Sequence, residues 1–269
     1  MAKLTRVQIR NHKMACELLA KETLTYDEKL YVMENWQEGA EHNNGSMGAF
    51  FTPINLANDF KLHISGNKII DICAGIGALS FMYYHGFYHD QEPDITCVEI
   101  NPAYVEIGKK LLPEANWICA DISEIWKELG RFDCAISNPP FGKKVKINSC
   151  LNYKGLEAEY RVIEIASKLA KWGAFIVPQS SAPFAYSGRQ CFKEHESNKY
   201  KKFFAETAID FEMNVGVDTQ IYINDWHGVM PMCEIVCCDF VECAKEEKIE
   251  VFAPKVAHRE QLTLDLLAA

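Results

Sequence analysis

Several things are scarce in this sequence. It contains no run of about 18 consecutive apolar residues, so no membrane-crossing helix is expected. The opening stretch MAKLTRVQIRNHK has no apolar signal core, so no secretory leader is expected. Basic residues are outnumbered: 28 Lys and Arg stand against 37 Asp and Glu, giving a net charge of −9. This balance excludes a protein that coats nucleic acid through overall charge. It leaves open nucleic acid as a substrate held by a local patch. Eleven cysteines are present, yet none forms the Cys-x-x-Cys spacing commonest in zinc sites, and no metal is expected. Cys233 and Cys237 could in principle share a metal with a distant His, but their segment reads as a strand. The thiols sit in apolar runs such as IIDICAG, ITCVEI and CEIVCCDF. They read as small core hydrophobes of a reduced, cytoplasmic protein. Internal repeats and low-complexity segments are also missing.

What remains is an ordinary globular composition, 48% hydrophobic and 24% charged over 269 residues, enough for one large α/β domain or a domain with a small appendage. Residues 6–37 read as helical, with Leu18, Leu19, Tyr26, Leu30 and Met33 near helical spacing and no Pro between them. A Gly/Asn loop follows at 38–48. Thr52-Pro53 then reads as a helix start, Thr52 as N-cap and Pro53 in the first turn of a short helix through about Leu62. From residue 68 short apolar runs alternate with helical patterns. Strands are expected at 68–73, 94–100, 116–121, 132–137 and 173–179, with helices near 78–85, 102–112, 123–129 and 155–172. This alternation implies a doubly wound, mostly parallel sheet with helices on both faces. Runs at 210–216 and 233–240 lack an obvious helix between them and fit an antiparallel pair, making seven strands. The implied division is an N-terminal helical extension (1–47), an α/β domain (48–243) and a charged tail (244–269).

Ligands of such sheets lie at the carboxyl ends of the strands. The first strand ends in Asp71 and the turn Cys73-Ala74-Gly75-Ile76-Gly77, whose glycines let a ligand approach the backbone. The third glycine of a G-x-G-x-x-G turn is missing, with Ser80 following, so the turn is not suited to a dinucleotide pyrophosphate. The second strand ends in Glu99-Ile100 and the third in Asp121-Ile122. Three acids on successive strand ends would repel phosphate and suit a nucleoside whose hydroxyls and base edge they can accept from. The fourth ends in Asn138-Pro139-Pro140-Phe141, where two prolines stiffen a polar-aromatic corner.

That corner resembles motif IV of the class I S-adenosylmethionine-dependent methyltransferases that act on amino nitrogens. The turn at Gly75 is similar to their motif I, Glu99 to the acid of motif II and Asp121 to motif III. Gly48-Ala49-Phe50-Phe51-Thr52-Pro53 resembles motif X of adenine-N6 DNA methyltransferases of restriction-modification or phage type, placed before motif I. The resemblance covers roughly residues 45–180. It implies a Rossmann-like, seven-stranded methyltransferase sheet and the cofactor S-adenosyl-L-methionine. The implied cofactor residues are Phe50, Thr52, Pro53, Asp71, Ala74, Gly75, Gly77, Glu99, Ile100, Asp121, Ile122 and Asn138. The implied catalytic set is Asn138, Pro139, Pro140 and Phe141. In that reading the Asn138 side-chain carbonyl and the Pro139 main-chain carbonyl draw the two hydrogens of an exocyclic amine to one side and localise its lone pair. Phe141 offers a face to a flipped-out base.

The implied substrate is adenine N6 in DNA, duplex with its base flipped. Lys143, Lys144, Lys146 and, in a later loop, Arg189 are candidates for holding flanking phosphates. RNA bases (adenine N6 or guanine N2) and protein glutamine N5 would use the same corner. A non-catalytic binding module that retains the fold is the reading of another class. Only about 90 residues follow the fifth strand, so sequence readout is expected to be weak, to use a few loops, or to come from a separate specificity subunit. In the tail, Gln261-Leu262-Thr263-Leu264-Asp265-Leu266 resembles a docking peptide for the replication sliding clamp.

Overall fold

The computed structural model describes residues 4–37, 50–148 and 151–241. The candidate clamp peptide, the Gly/Asn loop at 38–48 and the charged tail lie outside the described residues.

Two helices open the chain, α1 (Arg6–Leu19) and α2 (Tyr26–Asn35). The sequence reading of one helical stretch over 6–37 is therefore corrected to two. Each begins with a reciprocal cap. The Thr5 side chain accepts from the Gln8 N–H while Gln8 accepts from the Thr5 N–H, and Thr25 and Glu28 repeat the arrangement. The second box restarts the helix without any Gly or Pro. Ala15, Val32, Met33 and Trp36 from these helices are buried in the same core as the sheet.

Next comes α3 (Ile54–Phe60), whose N-cap is Pro53 with no side-chain bond. The expected Thr52 cap is corrected: the Thr52 hydroxyl accepts from Asn138 instead. Then β1 (Lys68–Ile72), α4 (Ala78–Gly86), β2 (Asp94–Glu99), α5 (Pro102–Leu111), β3 (Asn116–Cys119), α6 (Ile122–Ile125) and β4 (Phe132–Ser137) alternate as expected. They are followed by α7 (Ala158–Leu169) and β5 (Ala170–Pro178). The end of α7 falls earlier than the sequence suggested, because Ala170–Trp172 already pair with Phe132–Cys134 of β4. A two-residue ladder joins β6 (Phe184–Ala185) to β7 (Lys193–Glu194), and α8 (Asn198–Thr207) precedes β8 (Glu212–Met213) and β9 (Cys233–Asp239).

The main sheet has seven strands in the order β3-β2-β1-β4-β5-β9-β8. The first five are mutually parallel, and β9 pairs antiparallel with both β5 and β8. This is a Rossmann-like methyltransferase sheet. One face packs on α3 and α4 through Ile69, Cys97, Ile136 and Ile176, and the other on α7 through Ile70, Ala135, Phe175 and Val177. That alternation follows from the two-residue period of a strand buried on both sides. Strand order reverses between β1 and β4, and the Ser137 hydroxyl donates to the Ile72 carbonyl across that point. The crevice outside those strand ends is where the fold places a ligand.

None of the nine described cysteines is in a disulfide. Cys233 and Cys237 both lie on β9, about 13 Å apart at the rise of a strand, too far to share one ion. No group of His, Cys, Asp or Glu among the described residues could hold a metal. No described helix is long and apolar enough to cross a membrane.

Candidate active site

A cleft of about 300 Å³ opens at the switch point. A smaller compartment of about 20 Å³ lies beneath it, sharing Phe51, Cys73, Gly75 and Asn138.

The turn after β1 forms the wall between them. Cys73, Gly75 and Gly77 all take positive φ, of 59°, 59° and 91°. Gly75 is required twice over. Its backbone is left-handed, and a Cβ there would come within 3.1 Å of the Phe51 ring. Its N–H donates to Glu99 Oε2 at 2.9 Å, and the Asn101 N–H donates to Glu99 Oε1 at 2.9 Å. Glu99 is thus fixed by two backbone donors at the tip of β2. Burial raises its pKa, against the pull of those N–H groups.

Asp71 lies under the turn. Ser80 donates to its Oδ2 at 2.7 Å. Its Oδ1 is buried and has no hydrogen-bond partner among the described residues. Burial, offset by Ser80 and reinforced by Glu99, pushes its carboxyl up to about 7. A buried acceptor left open beside a small compartment is costly unless a donor or cation arrives there. Asp121 caps α6, its Oδ1 accepting from the Ser123 N–H and hydroxyl, each at 2.8 Å. Its side chain still lines the cleft, next to Ile122. Ile100 is 57% exposed although it belongs to the cleft wall, an apolar surface suited to a flat ring.

Asn138 stands where the two compartments meet. Its side-chain nitrogen donates to the Phe50 carbonyl at 2.9 Å and to the Thr52 hydroxyl at 3.0 Å. Both amide hydrogens are used, so Oδ1 is left as an acceptor. Pro139, Pro140 and Phe141 continue along the cleft.

Most residues singled out in the sequence therefore converge. Phe50, Gly75, Glu99, Ile100, Asp121, Ile122 and the Asn138–Phe141 corner line the cleft, while Thr52, Asp71 and Ala74 line the lower compartment. Pro53 and Gly77 line neither. Pro53 faces a separate cavity beside Met33, and a Cβ at Gly77 would meet the Trp117 indole at 3.0 Å, so Gly77 serves packing.

The four basic candidates separate. Lys144 and Lys146 reach the cleft wall. Lys143 forms an ion pair with Glu157 at 3.2 Å. Arg189 is exposed on the loop between β6 and β7, away from the cleft lining. The basic stretch is held down rather than loose: Ile147 is buried against the α7 face, its carbonyl accepts from Arg161, and the Asn152 and Tyr153 N–H groups donate to Glu164 at 2.6 and 3.0 Å.

Sequence reasoning missed Cys73, Tyr104, Val145 and Ile147 as lining residues. Tyr104 belongs to an aromatic stack, 4.9 Å from Phe51, which in turn lies 5.8 Å from Trp36 of the N-terminal helices. Its place in the first turn of α5, directly after the β2 acid, was the available signal.

Residues 54–199, more than half of the chain, match the methyltransferase small domain family. The chain belongs to that family. It is a methyltransferase, and S-adenosyl-L-methionine is its methyl donor. The residues present fit that cofactor: an open buried carboxyl at Asp71, fixed acids at Glu99 and Asp121, and apolar wall at Ile100 and Ile122. A search of curated proteins gave no match to the methyltransferase. Among solved structures it is similar to the type I restriction-modification methyltransferase subunit from Streptococcus thermophilus, at 14% identity and TM-score 0.56, over 80% of this chain and 48% of that one. It is similar also to the type I restriction enzyme EcoKI M protein, at 11% identity and TM-score 0.50, over 86% of this chain and 53% of that one. The methyltransferase thus spans about half the length of each subunit. A third similar structure is the Pyrococcus abyssi tRNA (uracil-54, C5)-methyltransferase in complex with S-adenosyl-L-homocysteine, at 12% identity and TM-score 0.41, over 70% of this chain and 38% of that one.

Proposed function

We propose that this methyltransferase methylates the exocyclic N6 amine of adenine in DNA. The observation that carries the reading is the tethered amide of Asn138, which presents Oδ1 as an acceptor beside the Pro139 carbonyl and the Phe141 ring. An amine conjugated to a ring is a poor nucleophile because its lone pair is delocalised. Asn138 Oδ1 and the Pro139 carbonyl accept its two hydrogens from one side and so localise the lone pair on nitrogen. Phe141 stacks on the extruded base, and the prolines keep both acceptors fixed. When bound, the cofactor supplies a methyl group made electrophilic by its sulfonium sulfur. Asp71 would hold its ammonium group, Glu99 its ribose hydroxyls, and Asp121 and Ile122 its adenine edge, with Phe50 and Thr52 closing that side. Lys144 and Lys146 would take the phosphates that flank the base, with Lys143 and Arg189 as further contacts to the strand.

The similarity to subunits of type I restriction-modification systems supports a separate specificity subunit as partner. The reading is tested by offering labelled cofactor with duplex DNA, single-stranded DNA, total RNA and a protein extract. Label is expected in DNA. Label confined to RNA or protein overturns the DNA assignment while leaving the chemistry of the corner in place.

A further inference from the structure

The residue after the corner, Gly142, is gripped from both sides by the start of α7. The Ala158 N–H donates to the Gly142 carbonyl at 2.7 Å. The Gly142 N–H donates to Glu159 Oε2 at 2.7 Å. Gly142 has φ of +74°, and a Cβ there would meet nothing within 4 Å. Glycine is therefore needed for the reversal of the chain just past Phe141, not for space.

Glu159 itself is completely buried. A carboxyl group in that position is expensive unless its oxygens are satisfied. Its second oxygen, Oε1, accepts from the Ser181 hydroxyl at 2.8 Å. Ser181 ends the short turn that follows β5, and the Lys199 ammonium at the start of α8 donates to the same hydroxyl at 2.7 Å. The Tyr160 hydroxyl donates to the Ser181 carbonyl at 2.8 Å. One buried side chain thus joins the chain leaving β4 to the chain leaving β5, with α7 and α8 behind it.

We propose that Glu159 is the positioning residue of this site: by holding the Gly142 peptide against the exit of β5, it fixes the Pro139 carbonyl and the Phe141 ring relative to Asn138. This rests on the corner being the place of methyl transfer. Glu159 touches neither cleft compartment, so its effect passes through geometry alone.

The test compares the full-length protein with Glu159→Ala, Glu159→Gln and Ser181→Ala at a temperature where each is folded by circular dichroism. Three quantities are read: single-turnover methyl transfer to DNA, affinity for S-adenosylhomocysteine by calorimetry, and hydrogen exchange of the segment 139–147. Misplacement of acceptors by a fraction of an ångström to an ångström predicts a transfer rate about 30-fold lower in Glu159→Ala, with affinity within about twofold. Exchange accelerates in 139–147 and stays native in β1 and β2. Glu159→Gln keeps an acceptor for Gly142 and a partner for Ser181, and stays within about threefold of the native rate. If Glu159→Ala does not fold, Ser181→Ala decides, with exchange in 139–147 faster and the rate lower at native affinity. Native rate and native exchange in the alanine variants overturn the proposal. So does a rate loss matched by equal loss of affinity, with no rescue by glutamine. If the wild type methylates no substrate, the proposed function fails, and the exchange data still decide whether Glu159 holds the corner.

Discussion

The side-chain amide of Asn138 donates to the Thr52 hydroxyl at 3.0 Å, across 86 positions of sequence. The second amide hydrogen goes to the Phe50 carbonyl at 2.9 Å. The segment before the first strand therefore decides which end of the Asn138 amide faces the cleft. An amide free to turn would present its NH₂ group for part of the time, and that group repels the hydrogens of an amine substrate.

Thr52→Val removes the hydroxyl acceptor at nearly constant volume, while Thr52→Ser keeps it. Loss of one buried hydrogen bond of this kind corresponds to about 1–3 kcal/mol, or about fivefold to 150-fold in rate. The expected result is a kcat reduced by that factor in Thr52→Val and near native in Thr52→Ser, measured by steady-state kinetics. Equal kcat in both variants would show that the tether does not orient Asn138.

Asp71 is expected to give cofactor binding a pH dependence. Its carboxyl is held up at about 7 by burial, with Oδ1 open. Below that pH it is largely protonated in the free protein. A cationic ammonium beside it favours the ionised form, so binding releases a proton. Affinity is expected to rise with pH up to about 7 and to fall again above about 8, where an α-ammonium loses its proton, and Asp71→Asn is expected to abolish the rise. Calorimetry in buffers of different ionisation enthalpy measures the released proton directly, and heats independent of buffer would contradict the assignment.

Glu157 sets an acid limit on the loop that carries the lysines. Burial alone would raise its pKa, but the Tyr153 hydroxyl at 2.5 Å and the Lys143 ammonium at 3.2 Å hold it at about 2, against an ordinary 4.5. Its folded pKa is depressed, so it stabilises the fold fully above about 4.5 and loses that contribution as the pH falls from 4.5 towards 2. Acid unfolding monitored by fluorescence is expected to set in at higher pH in Glu157→Gln than in the wild type, and the variant's stability is expected to depend less on pH between 4.5 and 2. An unchanged profile in Glu157→Gln would remove Glu157 from the account.

Gly75→Ala is expected to weaken cofactor binding at least about tenfold, because the residue must hold φ of +59° and its new methyl group meets the Phe51 ring at 3.1 Å. Calorimetric affinity checks it. A native affinity would mean that the turn and Phe51 can yield together.

The strands were legible because a parallel sheet covered on both faces writes itself as short apolar runs, and the acids and the Asn138 corner stand at the ends of those runs. The break between α1 and α2 was harder, because Leu18, Leu19, Leu30 and Met33 continue a helical spacing across it. The informative signal was polar, the Thr25-x-x-Glu28 box. Thr52 misled for a related reason. Thr-Pro reads locally as a helix cap, and its hydroxyl is taken by a residue that only the fold brings near. The anchoring of the lysine loop to Arg161 and Glu164 was likewise invisible, since a buried acid inside a helical pattern does not announce which distant amide it accepts from.

The most direct measurement is mass spectrometry of nucleosides from DNA incubated with S-adenosylmethionine and either the wild-type protein or Asn138→Ala, with cofactor affinity measured in parallel. N6-methyladenine is expected in the wild-type digest and none with Asn138→Ala, at unchanged cofactor affinity. Another methylated base, or N6-methyladenine formed equally by Asn138→Ala, would contradict it.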